Sequence, residues 1–376
     1  MPRVRQNFIE STHQYLGGLT KSLVPSGNAP LDSYLTNWGV WHLIKCDNKE
    51  DAEERLLNLP FVGTLLNTED NYTLTLRYWR HLGIKKGQIG YQRMADELEE
   101  TSITKIELSN INNCVEFLSY AGWISSALLV GKKSLIHHLR LLGEEHLDVA
   151  ASYNNLGTAY LGRGEYDKAI DYYEKALAIR LKSLGAEHAN VALSYTCLGR
   201  SYSVKGEYDM AIEYYEKALE IQLKPLGGNH SDVAESYAGL GVAYSEKGEY
   251  DKAIGCHEKT LEILLKSLGN DHPNVATSYN NLGTAYNEKG EYDKAIEYKE
   301  KALEIWLKSL GTEHPNVASS YNNLGEAYSN KGEHDKAIDY YEKAASIHDA
   351  LEQLDAAQEI RDKIAEIHSA QSEDSE

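Results

Sequence analysis

Five histidines are the residues of this sequence whose type and regular spacing could do chemistry. Histidine binds metal ions and transfers protons near neutral pH, so several of them at one point could form a zinc site or a general acid–base site. They lie at His146, His188, His230, His272 and His314. Because successive members are 42 residues apart, each falls in a different repeat of the chain. We therefore expect neither a metal site nor catalysis, and interpret each histidine as a residue that starts a helix.

Motifs that would hold a phosphate group or a nucleophile are missing from the sequence. The nearest approach to a phosphate-binding loop is GWISSALLVGKKS, in which Gly122 and Gly131 are nine residues apart where the loop needs a spacing of about five. Neither the GxSxG turn of serine hydrolases nor the HExxH pair of zinc proteases occurs. The sequence thus predicts a protein that is not an enzyme and binds no cofactor.

The composition limits the partners and the location that we expect. A formal net charge of −19 argues against nucleic acid, because phosphate contacts need a surplus of lysine and arginine. No apolar run approaches the roughly 18 residues of a membrane-spanning helix, and the first residues do not resemble a secretion signal. Four cysteines without a CxxC pair indicate a reducing compartment, so we expect a cytoplasmic protein. They are Cys46, Cys114, Cys197 and Cys256.

The chain repeats itself with a period of 42 residues. The stretch YNNLGTAYLGRGEYDKAIDYYEKAL, which begins at Tyr153, returns almost unchanged at Tyr279. Columns of tyrosine, glycine and alanine keep the same step through five copies, for example from Gly157 to Gly325. A weaker half copy precedes them. A fixed period of this length is typical of stacked helical repeats, so the sequence predicts an all-α solenoid.

Each copy predicts two helices joined by a tight turn. In the first copy apolar residues recur every three or four positions from Val149 to Leu161 and again from Tyr166 to Leu184. Glycines at the turn and after the second helix end these stripes. We expect a first helix of about 13 residues and a second of about 19. Charged runs such as DKAIEYKEKALEIWLK, which begins at Asp293, are interpreted as solvated outer faces.

Small and aromatic residues at fixed places indicate how the helices pack. We expect Gly157 and Ala169 where the two helices of one hairpin cross, and Ala176 where the next hairpin packs. The repeated tyrosines are interpreted mainly as packing residues whose hydroxyl groups reach water or a carbonyl.

The repeated pattern resembles the tetratricopeptide repeat (TPR). The residues that carry the resemblance are Leu156, Gly157, Tyr160, Gly164, Ala169, Tyr173 and Ala176. The 42-residue period and the linker LGTEHPNVASSYNNLG, from Leu310 to Gly325, resemble the kinesin light chain subfamily. This resemblance implies a right-handed superhelix whose first helices line a concave groove. It also implies a non-enzymatic scaffold or adaptor that binds an extended peptide or a helix of a partner protein in that groove.

The resemblance further implies which residues line the groove. In each first helix these are the two residues before the repeated leucine and the residue after the repeated glycine. In this sequence they are Asn154, Asn155, Thr158, Thr196, Cys197, Arg200, Ala238, Gly239, Val242, Asn280, Asn281, Thr284, Asn322, Asn323 and Glu326.

Two interpretations of these residues stay open. An asparagine amide both donates and accepts, which suits binding to a peptide backbone, but it can equally serve a local turn or a neighbouring hairpin. The second and third copies lack the asparagine pair, which makes the middle of the groove the expected place for selectivity. Arg200 either meets a carboxylate or carbonyl of the ligand or pairs with Glu235 on the next hairpin.

We divide the chain into five segments. Residues 1–110 are a helical region of uncertain fold, and residues 111–143 are a degenerate repeat. Residues 144–347 are the array of five repeats, residues 348–370 are a capping helix, and residues 371–376 are an acidic tail. Oligomeric state is not indicated by the sequence.

Residues 34–66 suggest a second functional hypothesis. This segment, YLTNWGVWHLIKCDNKEDAEERLLNLPFVGTLL, resembles the helical region that connects the ATPase core of STAND-type, NLR-like proteins to their C-terminal repeats. The resemblance implies a sensor or regulatory arm of an ATPase system whose nucleotide-binding core is missing from this chain.

Overall fold

The computed structural model describes Gln88, Tyr91 and residues 105–224 and 231–373, and these form two compact units, Met1–Ala186 and Glu187–Glu376. The described residues are helical and contain no β-strand. Their helices are α1 (Lys105–Tyr120), α2 (Ile124–Leu142), α3 (Leu147–Gly162), α4 (Tyr166–Leu184), α5 (Ala189–Lys205), α6 (Tyr208–Gln222), α7 (Ser231–Glu246), α8 (Tyr250–Leu268), α9 (Pro273–Glu288), α10 (Tyr292–Leu310), α11 (Pro315–Lys331), α12 (His334–Ala350) and α13 (Leu354–Glu373). The predicted all-α fold of helical hairpins is confirmed.

The first unit contains α1 to α4 among its described residues. Helices α1 and α2 pack together, α2 packs on α3, and α3 forms a hairpin with α4. Tyr91, Phe117 and Trp123 form an aromatic cluster whose ring centres are 6.0–6.1 Å apart. The segment of residues 34–66 and the rest of residues 1–104, apart from Gln88 and Tyr91, lie outside the described residues.

The second unit is a series of hairpins in which each helix packs on the next. The pairs α5/α6, α7/α8, α9/α10 and α11/α12 are the hairpins, and α13 covers α12. The first helices of neighbouring hairpins also contact one another. Apolar side chains of α8 to α13 form one buried cluster that includes Trp306, Tyr341 and Ile360. The core is therefore shared between neighbours rather than held within one hairpin.

Histidines cap the first helices. The Nδ1 atoms of His146, His188, His272 and His314 each accept a hydrogen bond of 3.0–3.2 Å from the backbone N–H two residues later. The interpretation of these four as helix starts is confirmed, whereas His230 lies outside the described residues. Because the cap lies before the apolar stripe, α3 begins at Leu147 and has 16 residues. The expected length of about 13 residues was too short.

Glycine allows close approach where two helices of a hairpin cross. A Cβ atom at Gly157 would lie 2.7 Å from the Tyr173 ring, and one at Gly325 would lie 2.7 Å from the Tyr341 ring. Such distances are well inside van der Waals contact, so only glycine fits. Stacked tyrosine pairs join the same helices, with ring centres 5.3–5.5 Å apart. The predicted packing roles of glycine and tyrosine are confirmed.

Gly283→Leu should lower the free energy of unfolding by about 1–3 kcal/mol, because the added side chain would be forced into a closed helix crossing. A Cβ atom there would lie 2.8 Å from Lys299 Cγ and 3.0 Å from the Ala295 carbonyl oxygen. Urea denaturation followed by circular dichroism measures the change. The matched control is Gly255→Leu, since a Cβ atom at this helical glycine meets nothing within 4 Å. Equal midpoints for the two variants would show that the crossing at Gly283 has room.

Candidate functional site

The first helices of the second unit each expose one stripe of side chains. Residues at positions i, i+7 and i+11 point in nearly the same direction on an α-helix. We call the four stripes together the first-helix face. Its residues are Leu193, Arg200 and Val204 on α5; Glu235, Val242 and Glu246 on α7; Thr277, Thr284 and Glu288 on α9; and Ser319, Glu326 and Asn330 on α11.

Side-chain contacts show that the stripes lie next to one another. An Arg200 guanidinium nitrogen is 3.6 Å from a Glu235 carboxylate oxygen, which joins α5 to α7. The Asn330 amide donates to the Asn287 amide oxygen over 3.3 Å, which joins α11 to α9. The Ser245 hydroxyl donates to the Glu288 carboxylate, which joins α7 to α9. Four of the predicted groove residues, Arg200, Val242, Thr284 and Glu326, therefore lie on one continuous surface.

Asparagines of the second unit mainly connect neighbouring helices. Asn323 Nδ2 donates to Asn280 Oδ1 over 3.0 Å, from one repeat to the previous one. Asn322 Oδ1 accepts from Lys363 Nζ of α13 over 3.3 Å. The side chain of Asn281 forms no hydrogen bond with the described residues. Three of these four asparagine side chains thus bond to a neighbouring helix. This agrees with one of the two interpretations of the amides, support for a neighbouring hairpin.

The predicted groove residues of the first unit also have partners. Asn155 Nδ2 donates to the Asn112 carbonyl oxygen of α1 over 3.1 Å, and the Arg180 guanidinium donates to Asn154 Oδ1 over 3.3 Å. The hydroxyl of Thr158 is 3.0 Å from that of Tyr173. All three predicted residues are half-buried.

Some predicted residues of the second and third repeats are packed between helices. Thr196 and Cys197 are buried, and Thr196 Oγ1 is 3.0 Å from Ser236 Oγ of the next repeat. A Cβ atom at Gly239 would lie 2.5 Å from the Tyr215 hydroxyl oxygen. Ala238 is half-buried. Thr196 and Cys197 offer no surface to a partner, because both side chains are buried.

Arg200 adopts the second of the two arrangements expected for it, the pair with Glu235. The side chains of Arg200 and Glu235 are 43% and 55% exposed. An exposed ion pair of this kind stabilises a protein by only about 0–1 kcal/mol. The pairing therefore leaves Arg200 accessible on the first-helix face.

Glutamates give this face an acidic character. Burial raises the pKa of Glu288 above its ordinary value, and the negative charges of Glu246 and Glu326 add to the effect, while a hydrogen bond from Ser245 and the charge of Lys299 oppose it. Carboxylates of three successive repeats are thus close enough to affect one another.

Two buried titratable residues lie beneath the first-helix face, and they were not predicted from the sequence. Tyr173, Tyr215 and Tyr341 occupy one column of the second helices, and the third and fourth repeats place His257 and Lys299 there instead. Each of these two side chains is only 2% exposed. Lys299 had been included in a run expected to be solvated, and that expectation was wrong. The signal that could have found both is the interruption of a regular tyrosine column.

Lys299 is held close to the glutamates of the first-helix face. Its Nζ atom donates to Thr284 Oγ1 over 3.3 Å. Burial lowers the pKa of this amine to about 8, although Glu326 and Glu288 favour the charged form. The amine thus serves as an internal counter-ion for these two carboxylates.

Acid should destabilise the protein through His257. Burial lowers the pKa of its imidazole from 6.5 to about 4, so the unfolded chain takes up a proton below pH 6.5 that the folded chain does not. Stability is therefore lost as the pH falls, by about 1.5 kcal/mol between pH 6.5 and pH 5 from this residue. The measurement is the difference in unfolding free energy between the native chain and His257→Tyr, which introduces the residue of three other repeats. A difference that does not change with pH in this range would contradict the assignment.

Two kinds of site are absent from residues 105–224 and 231–373. No group of three or more histidine, cysteine, aspartate or glutamate side chains there could hold a metal ion. Within the same described ranges, no helix combines the length and the apolar character needed to cross a membrane.

Comparison with known proteins agrees with this architecture. A tetratricopeptide repeat family model matches residues 131–182, 190–266, 232–305 and 274–350. The chain is similar to a kinesin light chain-like protein of Podosopora anserina with nearly identical TPR-like repeats, at 30% sequence identity and a TM-score of 0.50, over 54% of this chain and 97% of that chain. It is also similar to BtubC (BKLC) from P. vanneervenii, at 26% identity and a TM-score of 0.54, over 61% of this chain and 92% of that chain. No curated protein matches the chain.

A STAND protein with a TPR sensor, from Pyrococcus horikoshii, is similar in fold. Its TM-score is 0.53 at 17% identity, over 86% of this chain and 54% of that chain. An identity this low shows likeness of fold alone. The hypothesis that the chain is the sensor arm of an ATPase system therefore stays a prediction, which a nucleotide-binding assay on the chain and its genomic neighbour would test.

Proposed function

Because the chain belongs to the tetratricopeptide repeat family, with repeats of the kinesin light chain kind, we propose that it is a non-enzymatic scaffold that binds a segment of a partner protein on the first-helix face. TPR repeats are typically protein-interaction scaffolds. The observation that carries the proposal is the side-by-side array of four exposed stripes on α5, α7, α9 and α11. A partner segment that crossed all four would contact four repeats at once.

The dimensions of the face suit a short segment. Packed helices are about 8–10 Å apart, so the four stripes span roughly 30 Å. An extended chain rises about 3.3 Å per residue, which gives a segment of about nine residues. A partner helix of the same length would need about 20 residues. The face therefore accommodates an extended peptide of about nine residues or a helix of about 20 residues.

Five residues are proposed as contacts in the second unit. Arg200, Val242, Thr284 and Glu326 lie on the first-helix face. Asn281 lies beside it with an amide that has no hydrogen bond to the described residues, so this amide is free to bind a peptide backbone. The other asparagines hold neighbouring repeats in register and thereby position these contacts.

Selection of peptides from a random displayed library, with the full chain as bait, tests the proposal. We expect peptides that bind the native chain and lose at least about tenfold in affinity, or roughly 1.4 kcal/mol, for Val242→Arg combined with Ser319→Arg, because two long side chains would then obstruct the face. The control is Glu262→Arg combined with Glu304→Arg, on the second helices α8 and α10. If no peptide is enriched, or if the obstructed variant binds like the control, the proposed function is wrong.

A further inference from the structure

We propose that the partner segment is apolar at one end and carries arginine or lysine at the other. This inference rests on the proposed function, and it adds the chemical class of the partner. The first-helix face changes in character along the second unit, from two apolar side chains on either side of the paired Arg200 on α5 to carboxylates on α7, α9 and α11. A segment with the complementary gradient fits it in one direction only.

The apolar end of the face lies on the second and third repeats. Leu193 and Val204 of α5 are 42% and 53% exposed, and Val242 of α7 is 40% exposed. Other first helices place polar residues in these columns, such as Thr277 and Thr284 on α9. Burial of such side chains by a partner is favourable in proportion to the apolar area covered. These three side chains therefore fit one or two apolar residues of a ligand.

The acidic end lies on the third to fifth repeats. Glu246, Glu288 and Glu326 are exposed and come from three successive repeats. The exposed stripes of α7, α9 and α11 contain no lysine and no arginine. The cation of the face, Arg200 on α5, is paired with Glu235. The three carboxylates lie on stripes that have no cation, and they attract a basic ligand by charge complementarity.

The hydrogen-bond partners of these glutamates differ from those of the glutamates that pair with lysine. Each accepts from a neutral group: Glu246 from the Tyr208 hydroxyl at 3.1 Å, Glu326 from the Asn287 amide at 3.5 Å, and Glu288 from the Ser245 hydroxyl. None of the three is within 4.0 Å of a lysine or arginine nitrogen in the described part of the chain.

Several other glutamates of the described residues pair with lysine. Glu291, at the turn of the fourth repeat, is 2.6 Å from both Lys289 and Lys294. On the second helices, Glu262 is 2.6 Å from Lys266. The stripes of α7, α9 and α11 thus keep Glu246, Glu288 and Glu326 without the lysine partners that Glu262 and Glu291 have.

Lys299 is not a surface partner of these carboxylates. It is 2% exposed and lies beneath the face, where its amine donates to Thr284. One buried ammonium offsets one of three nearby negative charges, which leaves a net charge of about −2 at neutral pH. The remaining charge is available to a guanidinium or ammonium group of a ligand, and a guanidinium can bind a carboxylate through two hydrogen bonds.

Fluorescence anisotropy with labelled decapeptides tests the inference on the full chain. The probes carry two leucines near one end and two arginines near the other, in both sequence orders, and matched peptides carry glutamate in place of arginine. We expect one arginine order to bind, its affinity to fall as salt is raised, and the glutamate peptides to bind at least about tenfold more weakly. Glu288→Gln combined with Glu326→Gln should weaken the arginine peptide about tenfold or more. Glu262→Gln combined with Glu304→Gln should change it less than twofold.

Three outcomes would overturn the inference. They are glutamate peptides that bind as well as the arginine peptides, a glutamine double variant on the first-helix face that binds like the native chain, and arginine peptides that do not bind at all. The selection from the peptide library distinguishes these three outcomes from failure of the proposed function. Enrichment of acidic peptides that the obstructed variant no longer binds would leave the binding face correct and the basic partner wrong.

Discussion

Deletion of α13, from Leu354 to the end of the chain, should lower the free energy of unfolding of the second unit by about 3 kcal/mol or more. The helix contributes Ile360 and Ile367, both buried, to the cluster that contains Tyr341 and Ala345 of α12. Burial of an isoleucine side chain is worth about 1.5–3 kcal/mol, and the entropy of ordering the helix offsets part of that sum. The truncated chain should also self-associate, since the deletion exposes the apolar face of α12. Urea denaturation and sedimentation velocity measure the two effects.

Point variants separate this capping role from a general effect of truncation. Ile360→Ala combined with Ile367→Ala should reproduce most of the loss, because a cavity replaces buried methyl groups. Leu354→Ala is the control, since this side chain of the same helix is 66% exposed. A truncated chain that stays monomeric and unfolds at the native denaturant concentration would show that α13 does not cap the hairpins.

Lys299→Met should raise the free energy of unfolding by about 1–3 kcal/mol at pH 7. Burial lowers the pKa of this amine from 10.5 to about 8, which corresponds to a cost of about 3 kcal/mol for the charged form. A methionine of similar shape removes that cost, and the lost contacts with Thr284 and the two glutamates offset part of the gain. Lys301→Met is the control, because Lys301 is exposed and pairs with Glu297 over 2.6 Å, and its effect should be within about 0.5 kcal/mol.

The pH dependence of this difference provides a second check. Below pH 8 both the folded and the unfolded chain carry the proton, so the whole cost of Lys299 is present. Between pH 8 and 10.5 the folded chain loses the proton while the unfolded chain keeps it, and the native protein gains stability relative to Lys299→Met. The advantage of the variant should therefore shrink as the pH rises through this range. A variant that is less stable than the native chain at pH 7 would show that the contacts of the amine outweigh its burial.

Local structure was predictable because each part of it depends on residues near in sequence. The 42-residue period, the apolar stripes and the turn glycines together predict hairpins, and the structure has them. The histidine caps also follow from sequence, since each bonds a backbone group only two residues away. The predicted first helix was too short, because a helix that is capped by histidine begins before its first apolar residue.

Contacts between repeats were harder to predict. Asn323 bonds Asn280 from one first helix to the previous one, and Thr196 meets Ser236 in the same way. Which side of a first helix faces its neighbour and which faces solvent depends on the angle between hairpins, and no spacing within one repeat sets that angle. For the same reason Lys299 looked like one more lysine on a solvated helix, whereas it fills a position that tyrosine occupies in three other repeats.

Photo-crosslinking of a library-selected peptide to the full chain tests the central claim most directly. The peptide carries a benzophenone group in its middle, and mass spectrometry of the digested product identifies the attached residues. The account predicts attachment to the first-helix face around Val242, Thr284 and Glu326, and competition by the same peptide without the label. Attachment to the second helices α8 and α10, for example at Glu262 or Glu304, would contradict it.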